Sequence, residues 1–212
     1  MARDGIPYLV LFAIPALVLG TVAAAFGHWW IWMLAALSAL LAAFMAYFFR
    51  DPERTPPTEP NIVVSPADGK VLVVERVNPD DASSPTQVCI FLSPMDVHIN
   101  RSPIEGMIQD VVYKPGEFRV ASKRIASEVN EQNVITISNP TITIVARQIA
   151  GLLARRIVCW KGPGDSVGRG ERIGLMKFSS RMDVVMTADI EVLCRPGDRV
   201  VAGESIIGRK LP

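Results

Sequence analysis

The segments PGDSVGRGERI (residues 163–173) and PGDRVVAGESI (residues 196–206) share seven of eleven residues at an offset of 33. Each segment begins with a Pro-Gly-Asp turn, continues through one valine, and reaches a Gly-Glu turn that leads to an isoleucine. Turn residues on both sides of a short apolar run are typical of β-hairpins. Two copies so close together predict two quasi-equivalent hairpins that pack against each other.

The rest of the C-terminal three-quarters of the chain is also strand-like. Short runs rich in valine and isoleucine are bounded by Pro, Gly, Asn and Asp, which is the usual punctuation of strands. These runs are IVVS (62–65), KVLVVERV (70–77), QVCIFLS (87–93), IQDVVY (108–113), NVITIS (133–138), TITIVARQI (141–149), RRIVCW (155–160), IGLMKF (173–178), MDVVMT (182–187) and IEVLC (190–194). One stretch, VARQIAGLLARR (145–156), is a candidate for a short helix.

The pattern therefore predicts a mainly β soluble domain with minor helix, built as a compact barrel or sandwich. Its repeated hairpins resemble the barrel-sandwich hybrids of biotinyl and lipoyl carrier domains. In those carriers a lysine at a hairpin tip bears the cofactor. Here the stretch KFSSRMD (177–183) connects the two copies and presents serines instead. The repeat predicts a fold and leaves the function open.

The N-terminal part has a different composition. Residues 5–49 are 45 positions without Asp, Glu, Lys or Arg. A bilayer core needs about 20 apolar residues per helix, so this stretch can hold two spans. The turn FGHWW (26–30) divides it into predicted helices at 6–26 and 31–49. We therefore expect a membrane-anchoring helical hairpin at 1–49, a proline-rich linker at 50–61 and a β-rich catalytic domain at 62–212.

The apolar stretch has three other interpretations: a signal peptide, a buried helical hairpin and a shallow insertion. A buried hairpin would need far more protein around it than the remaining 163 residues provide. A signal peptide is followed by a polar mature chain, whereas here a second apolar segment follows the first. A shallow insertion that does not span the bilayer stays open as an alternative. Arg3 precedes the hairpin, Arg50 and Arg54 follow it, and the short loop has no Lys or Arg. The positive-inside rule then predicts an inner-membrane protein with both ends of the hairpin, and the β domain, in the cytoplasm.

The charge balance and the cysteines exclude several classes of function. The chain has 22 basic and 21 acidic residues, which argues against a nucleic-acid partner, since such proteins carry a basic excess. The three cysteines, Cys89, Cys159 and Cys194, are an odd number, lie far apart and form no C-x-x-C motif. They indicate buried, reduced thiols and predict no disulfide framework and no metal site.

Histidine is scarce, which narrows the search for a catalytic base. The chain has two histidines, and His28 belongs to the apolar hairpin. Any histidine-dependent step in the β domain must therefore use His98, in the turn-rich stretch LSPMDVHINRSP (92–103), although a lone histidine is also a common packing residue. Asp68 in SPADGKV (65–71) is an acidic candidate, with a plain Asp-Gly hairpin turn as the alternative. The sequence has no G-x-S-x-G elbow and no Walker-type phosphate loop.

Six stretches, in this order, resemble the phosphatidylserine decarboxylases in their short prokaryotic form, and together they cover almost the whole chain. They are YFFRDPERTPP (47–57), SPADGKV (65–71), LSPMDVHINRSP (92–103), ASEVNEQN (126–133), RQIAGLLARRIVCW (147–160) and GDSVGRGERIGLMKFSSRMDVV (164–185). The resemblance implies an enzyme that decarboxylates phosphatidylserine in the membrane to phosphatidylethanolamine. It also implies that the enzyme processes itself.

In that family a serine of a Gly-Ser pair becomes a covalent pyruvoyl cofactor, which forms a Schiff base with the substrate amine. The resemblance places this serine at Ser180 and the cleavage between Ser179 and Ser180. The products are a β chain of residues 1–179 and an α chain of residues 180–212. The family's triad for the cleavage falls on Asp68, His98 and Ser180, with Asp68 orienting the imidazole.

Three positions depart from the family pattern. Ser179 stands where the family usually has glycine, and a side chain there crowds the strained turn that cleavage requires, so blocked, slowed and tolerated cleavage are all compatible with the sequence. Gln132 replaces an arginine of many relatives. Arg101 stands where longer members have a second histidine, so His98 is expected to serve both cleavage and decarboxylation.

Two rival functions therefore stay open at this point. One is a relative that has lost processing, and the other is a membrane-anchored barrel-sandwich adaptor without enzymatic activity. Dependence on Ser180 or His98 separates the enzyme from the adaptor. Whether the chain forms a homo-oligomer is also open from the sequence.

Overall fold

The computed structural model describes residues 1–152, 156–178 and 180–211. The chain divides into two compact units, Met1–Pro52 and Glu53–Pro212. The first unit is helical and the second is mainly β.

The first unit consists of two apolar helices after a single 3-10 turn at Arg3–Gly5. Helix α1 (Ile6–Phe26) ends at Gly27, whose φ of 70° is readily adopted only by glycine, and helix α2 (Trp29–Phe48) follows directly. The predicted apolar hairpin is thereby confirmed to within two residues. Both helices are long and apolar enough to cross a membrane.

The second unit contains short antiparallel strands and one short helix among the described residues. In chain order these are β1 (Ile62–Val64), β2 (Gly69–Arg76), β3 (Thr86–Leu92), β4 (Ile99–Arg101), β5 (Gly106–Lys114), α3 (Ala126–Val129), β6 (Gln132–Ser138), β7 (Thr143–Ile149), β8 (Ile157–Cys159), β9 (Ser166–Val167), β10 (Arg172–Met176), β11 (Ser180–Met186), β12 (Ile190–Val192), β13 (Arg199–Val200) and β14 (Ile206–Lys210). Each of the ten predicted runs contains a strand, so the mainly β prediction is confirmed.

Three sheets enclose the core of this unit. The largest has the order β13-β2-β3-β11-β7-β6-β5-β9, and the two small ones are β1-β14-β12 and β4-β10-β8. Alternate residues of each strand point inward. On β11, for example, Met182, Val184 and Met186 belong to the buried aliphatic core.

The repeated segments occupy equivalent places in this architecture. Strands β9 and β13 lie at opposite edges of the large sheet, and β10 and β14 are the middle strands of the two small sheets. Gly170 and Gly203, which correspond at the offset of 33, have φ values of 73° and 77°. A Cβ added to Gly203 would lie 3.2 Å from Cα of Gly170, so the two hairpins pack directly against each other.

A second repeat, which sequence analysis missed, completes this approximate twofold symmetry. SPADG (65–69) and SPIEG (102–106) lie 37 residues apart and make the same bonds. Ser65 Oγ donates to the carbonyl oxygen of Ala67 at 2.7 Å, and Ser102 Oγ to that of Ile104 at 2.6 Å. The unit is thus two similar halves. One half is continuous, from β4 to β10, and it is inserted into the other between β3 and β11.

The predicted helix at 145–156 is wrong over its first part. Thr143–Ile149 is strand β7, paired on one side with β6 and on the other with β11. Its burial alternates along the strand, and pairing on two sides outweighs the helical preference of Ala, Arg and Gln. Residues 153–155 of the same prediction lie outside the described residues.

Candidate active site

Ser180 is the first residue of β11 and is fully buried. It pairs with Leu92, the last residue of β3. Strand alternation places its side chain on the core face, with Met182 and Val184. Its Oγ has no hydrogen-bond partner among the described residues, which is unusual for a buried hydroxyl and is common at reactive positions. Ser179, the other predicted cleavage residue, lies outside the described residues.

His98 lies at the end of the crossover from β3 to β4. This crossover leaves the large sheet after Leu92, opposite Ser180, and ends at Ile99, opposite Leu175 of β10. The backbone N–H of Met176 donates to the carbonyl oxygen of His98 at 3.2 Å. The insertion of one half into the other therefore holds His98 beside the segment that leads into Ser180.

The orientation of the His98 ring is set within its own loop. The ring is almost fully buried, and Nδ1 lies 2.9 Å from the carbonyl oxygen of Asp96. A carbonyl oxygen can only accept, so Nδ1 carries the hydrogen of the neutral ring and Nε2 carries the lone pair. Asp96 is itself held by the Ser93 N–H and by Arg199, each at 2.8 Å. The buried Nε2 is thus the nitrogen that can accept a proton.

Asp68 lies in the turn before β2. In the register of the large sheet, Lys70 pairs with Phe91, which pairs with Arg181, so Asp68 lies at the same end of the sheet as Ser180. Two strand spacings separate β2 from β11, roughly 10 Å. The Asp68 carboxylate accepts from the N–H of Ala202 at 2.7 Å, which links it to the second copy of the repeated hairpin, residues 196–206. The structure thus brings Asp68, His98 and Ser180 to one end of the large sheet.

Arg54 is a residue of this site that sequence reasoning missed. Its Nη2 donates to Asp68 Oδ2 at 2.8 Å, and its Nη1 lies 3.4 Å from Glu204 Oε2. Both Arg54 and Asp68 are 14% exposed, so solvent screens this ion pair only in part. Thr55 N–H also donates to Glu204, at 3.0 Å. The signal for Arg54 was its place in YFFRDPERTPP, one of the six stretches that carry the resemblance.

Comparison with known proteins identifies the family. The family model described as phosphatidylserine decarboxylase matches residues 41–208. This chain belongs to the phosphatidylserine decarboxylase family. The predicted family is thereby confirmed.

Individual members of the phosphatidylserine decarboxylase family match over most of their length. The phosphatidylserine decarboxylase proenzyme of Solibacter usitatus is 54% identical over 172 residues, 81% of each chain. The proenzyme of Symbiobacterium thermophilum is 46% identical over 212 residues, which is 99% of this chain and 95% of that one. The proenzyme of Desulfotalea psychrophila is 37% identical over 212 residues, which is 99% of this chain and 96% of that one.

Two departures from the phosphatidylserine decarboxylase pattern have structural roles here. Arg101 is buried, and its Nη1 donates to the carbonyl oxygen of Gly170 at 2.8 Å, between the two repeated hairpins. Gln132 Nε2 donates to the carbonyl oxygen of Ser127 at 3.2 Å. Because Arg101 occupies the position of the second histidine of longer members, His98 is the single imidazole available for catalysis in residues 53–212.

The backbone just before the family's cleavage position is strained. Phe178 has a φ of 61°, in the left-handed region that residues with a Cβ avoid. Such a conformation costs about 1–3 kcal/mol and persists where the surrounding structure enforces it, often at functional sites. The strain lies two residues before Ser180, next to the peptide that the family pattern marks for cleavage.

Arg181 and Asp183, which follow the family's serine, form a buried ion pair on the outer face of β11. Arg181 Nε lies 2.5 Å from Asp183 Oδ1, and the carboxylate also accepts from Gln87 and Ser127. Burial, together with the nearby Asp183 charge, raises the pKa of Cys89 to about 12, so this thiol stays protonated. The pair fixes β11 against its neighbours.

The described residues contain no group of three or more His, Cys, Asp or Glu side chains that could hold a metal ion.

Proposed function

We propose that this protein is a membrane-associated, pyruvoyl-dependent phosphatidylserine decarboxylase that makes its own cofactor from Ser180. The observation that carries the proposal is the buried Oγ of Ser180, which has no hydrogen-bond partner within the described parts of the chain and lies opposite Leu92, where the crossover to His98 begins. A serine precursor fits this position, since no hydrogen bond within the described residues holds its hydroxyl. Family membership and the name of the relatives support the same activity.

Self-cleavage begins with Ser180 as the nucleophile. Its Oγ attacks the carbonyl carbon of residue 179 while His98 Nε2 takes the hydroxyl proton, because a serine hydroxyl needs a base. Collapse of the adduct breaks the C–N bond and leaves an ester with a free amine on Ser180. A base then removes the Ser180 α-proton, and β-elimination releases residues 1–179 as a carboxylate. The remaining dehydroalanine tautomerises, and water replaces its nitrogen as ammonia to leave the pyruvoyl group.

Asp68 is the acidic residue of the triad. Its carboxylate, held by Arg54 and Ala202, presents a fixed negative charge at the end of the sheet where His98 becomes positive. A fixed carboxylate stabilises an imidazolium in the same way in serine hydrolases. Asp68 therefore stabilises the protonated ring of His98, and the Asp-Gly turn holds the Asp68 carboxylate in position.

In the decarboxylation the pyruvoyl group supplies an electron-accepting carbonyl, which is chemistry that side chains lack. The chain's own residues bind the substrate, exclude water from the reacting carbon and protonate that carbon. The buried surroundings of residue 180 exclude water from the reacting carbon. His98 is the proton donor for the carbon that has lost its carboxylate, and the ethanolamine headgroup is then released.

The N-terminal hairpin gives the enzyme access to its substrate. A diacyl lipid stays in the bilayer, and helices α1 and α2 are apolar and long enough to span it. Arg3 and Arg50 flank the hairpin and favour a cytoplasmic location for both of its ends. We place residues 62–212 as the catalytic domain on the cytoplasmic side of the inner membrane.

A relative that has lost processing is the second candidate, because Ser179 replaces the usual glycine. Activity separates the two. We expect the purified full-length protein in mixed micelles to convert phosphatidylserine to phosphatidylethanolamine. Hydroxylamine, which reacts with carbonyl groups, should abolish this conversion. Ser180→Ala should be inactive and Ser166→Ala, an exposed serine of β9, should keep full activity. Equal activity in Ser180→Ala and the wild type would refute the proposal.

A further inference from the structure

An arginine-rich cavity lies on the outer face of the large sheet, outside the site described above. Its volume is about 160 Å³, and the side chains of β2, β3, β7 and β11 form its floor while the segment around α3 forms its wall. The charged residues that line it are Arg76, Arg124, Arg147, Arg181, Glu75 and Glu128. Positive charge therefore exceeds negative charge in the lining.

This cavity is separate from the reacting centre. Successive side chains of a strand point to opposite faces, so Arg181 and Asp183 face the cavity side while Ser180 faces the core. Arg147 pairs in register with Asp183, three residues along β11 from Ser180. A group bound in the cavity would thus lie behind β11 and would not contact the Ser180 hydroxyl.

Two of the four arginines are neutralised by carboxylates to different degrees. Arg181 forms a buried ion pair with Asp183. Arg124 lies 3.4 Å from Glu75, but its side chain is 76% exposed, so this ion pair is weak.

Arg147 is the residue that points most clearly to a ligand. It is half-buried, and in the described part of the chain no carboxylate forms an ion pair with it. The oxygens of Asp183, the carboxylate across the strand, already accept from Arg181, Gln87 and Ser127. A partly buried guanidinium without a counter-charge is unfavourable, and its planar fork matches the oxygens of a phosphate group.

The rim of the cavity is basic and apolar. Val77, in the lining, is 54% exposed, and Ile125, next to Arg124, is 47% exposed. Val120, on the same segment as Arg124, is 45% exposed. Exposed aliphatic side chains beside arginines are typical of surfaces that contact anionic phospholipid.

From these contacts we propose that the cavity binds a phosphate-type oxyanion, held by Arg76, Arg124 and Arg147. Two sources share this chemistry, the phosphodiester of an anionic phospholipid and free inorganic phosphate. Occupancy supplies the counter-charge that Arg147 lacks and joins the segment around α3 to the sheet. The site is independent of catalysis, so it is present in protein that has not been cleaved.

The test uses full-length Ser180→Ala protein, so that binding is measured without turnover. In neutral detergent, inorganic phosphate is titrated at constant ionic strength while hydrogen exchange is followed at residues 124–129. In a second arm the protein is placed in phosphatidylcholine nanodiscs with and without phosphatidylglycerol. We expect saturable slowing of exchange in at least one arm, and the arm that responds identifies the source of the oxyanion.

Two variants distinguish binding in the cavity from nonspecific attraction of the anion to positive charge. Arg147→Gln should weaken the binding at least about tenfold, since it removes a charge-assisted contact. Arg209→Gln removes the same charge from an exposed arginine that is paired with Glu59, and it should bind like the parent protein. The absence of saturable protection in both arms, or equal protection in Arg147→Gln and Arg209→Gln, would overturn the proposal.

Discussion

At the scale of single residues, the central feature is the placement of a buried serine, the proposed cofactor precursor, near the one imidazole of the β unit. Ser180 and His98 are both buried, and they lie where the inserted half of the unit begins and ends. The scarcity of histidine in the sequence was enough to predict His98 as the candidate base. The role proposed for Ser180 followed only from the family resemblance, because two adjacent serines in a turn are otherwise common in a β protein.

Replacing His98 should nearly abolish self-cleavage. A positioned general base contributes roughly 10²–10⁴-fold to a rate, so His98→Ala should slow the appearance of the two chains by at least about 100-fold. The measurement is the fraction of cleaved chain against time after synthesis in a membrane-supplemented translation system. His28→Ala, in the apolar hairpin, is the matched control and should cleave at the parent rate. Normal cleavage of His98→Ala would remove His98 from the mechanism.

Arg54 should also affect cleavage, through Asp68. Arg54→Gln removes the guanidinium that holds the Asp68 carboxylate and leaves Glu204 with fewer partners. We expect cleavage to be slower by about tenfold, the effect of losing one charge-assisted hydrogen bond. Arg54→Lys should recover part of the rate, which simple misfolding would not predict.

The control for Arg54 is Arg209→Gln, because Arg209 carries the same charge and forms an exposed ion pair with Glu59. Cleavage of Arg54→Gln at the same rate as Arg209→Gln would show that Arg54 does not position Asp68.

At the scale of elements, the two repeated hairpins meet at glycines that no other residue replaces without strain. Gly170 has a φ of 73°, and a Cβ on it would lie 2.4 Å from Cγ of Pro56. Gly170→Ala should therefore destabilise the β unit by about 1–3 kcal/mol, measured by thermal unfolding of the full-length protein in detergent. Gly162→Ala, where a Cβ meets nothing within 4 Å, should be close to neutral. Equal stability of the two variants would contradict the backbone conformation and the close contact with Pro56 described for Gly170.

Much of the element pattern was predictable, and the errors have physical causes. Runs of Val and Ile gave ten strands, and the repeated segments predicted short strands at Val167 of β9 and Val200 of β13, but β4 and β14, which contain charged residues, were missed. Their existence depends on partners distant in sequence, which local pattern does not report. The helix predicted at 145–156 failed for the related reason that β7 is enclosed between β6 and β11. The SPADG and SPIEG repeat was visible in the sequence, but its meaning depended on the partners that each copy contacts.

At the scale of the whole β unit, the insertion of one half into the other explains how a chain can be cut and stay assembled. The α chain expected from cleavage before Ser180 begins with β11, which is paired on both sides, with β3 and β7. Its last strand, β14, lies between β1 and β12. Cleavage before Ser180 therefore removes one covalent link and leaves the sheets complete.

We accordingly expect the two chains to remain together under native conditions. They should co-elute in size-exclusion chromatography in mild detergent and separate only in strong denaturant such as guanidinium chloride. Dissociation of the small chain in native buffer would show that the strand pairing of β11 and β14 is not sufficient to hold it.

The most direct test of self-processing at Ser180 is the intact mass of the purified full-length protein. We predict two chains, of residues 1–179 and 180–212, and a small chain that is blocked at its N-terminus and lighter by one ammonia than its serine-terminated form. Ser179→Gly should give the same two products, and Ser180→Ala should remain whole. A single uncleaved chain after long incubation with membranes, or a small chain with a free serine N-terminus, would contradict the account.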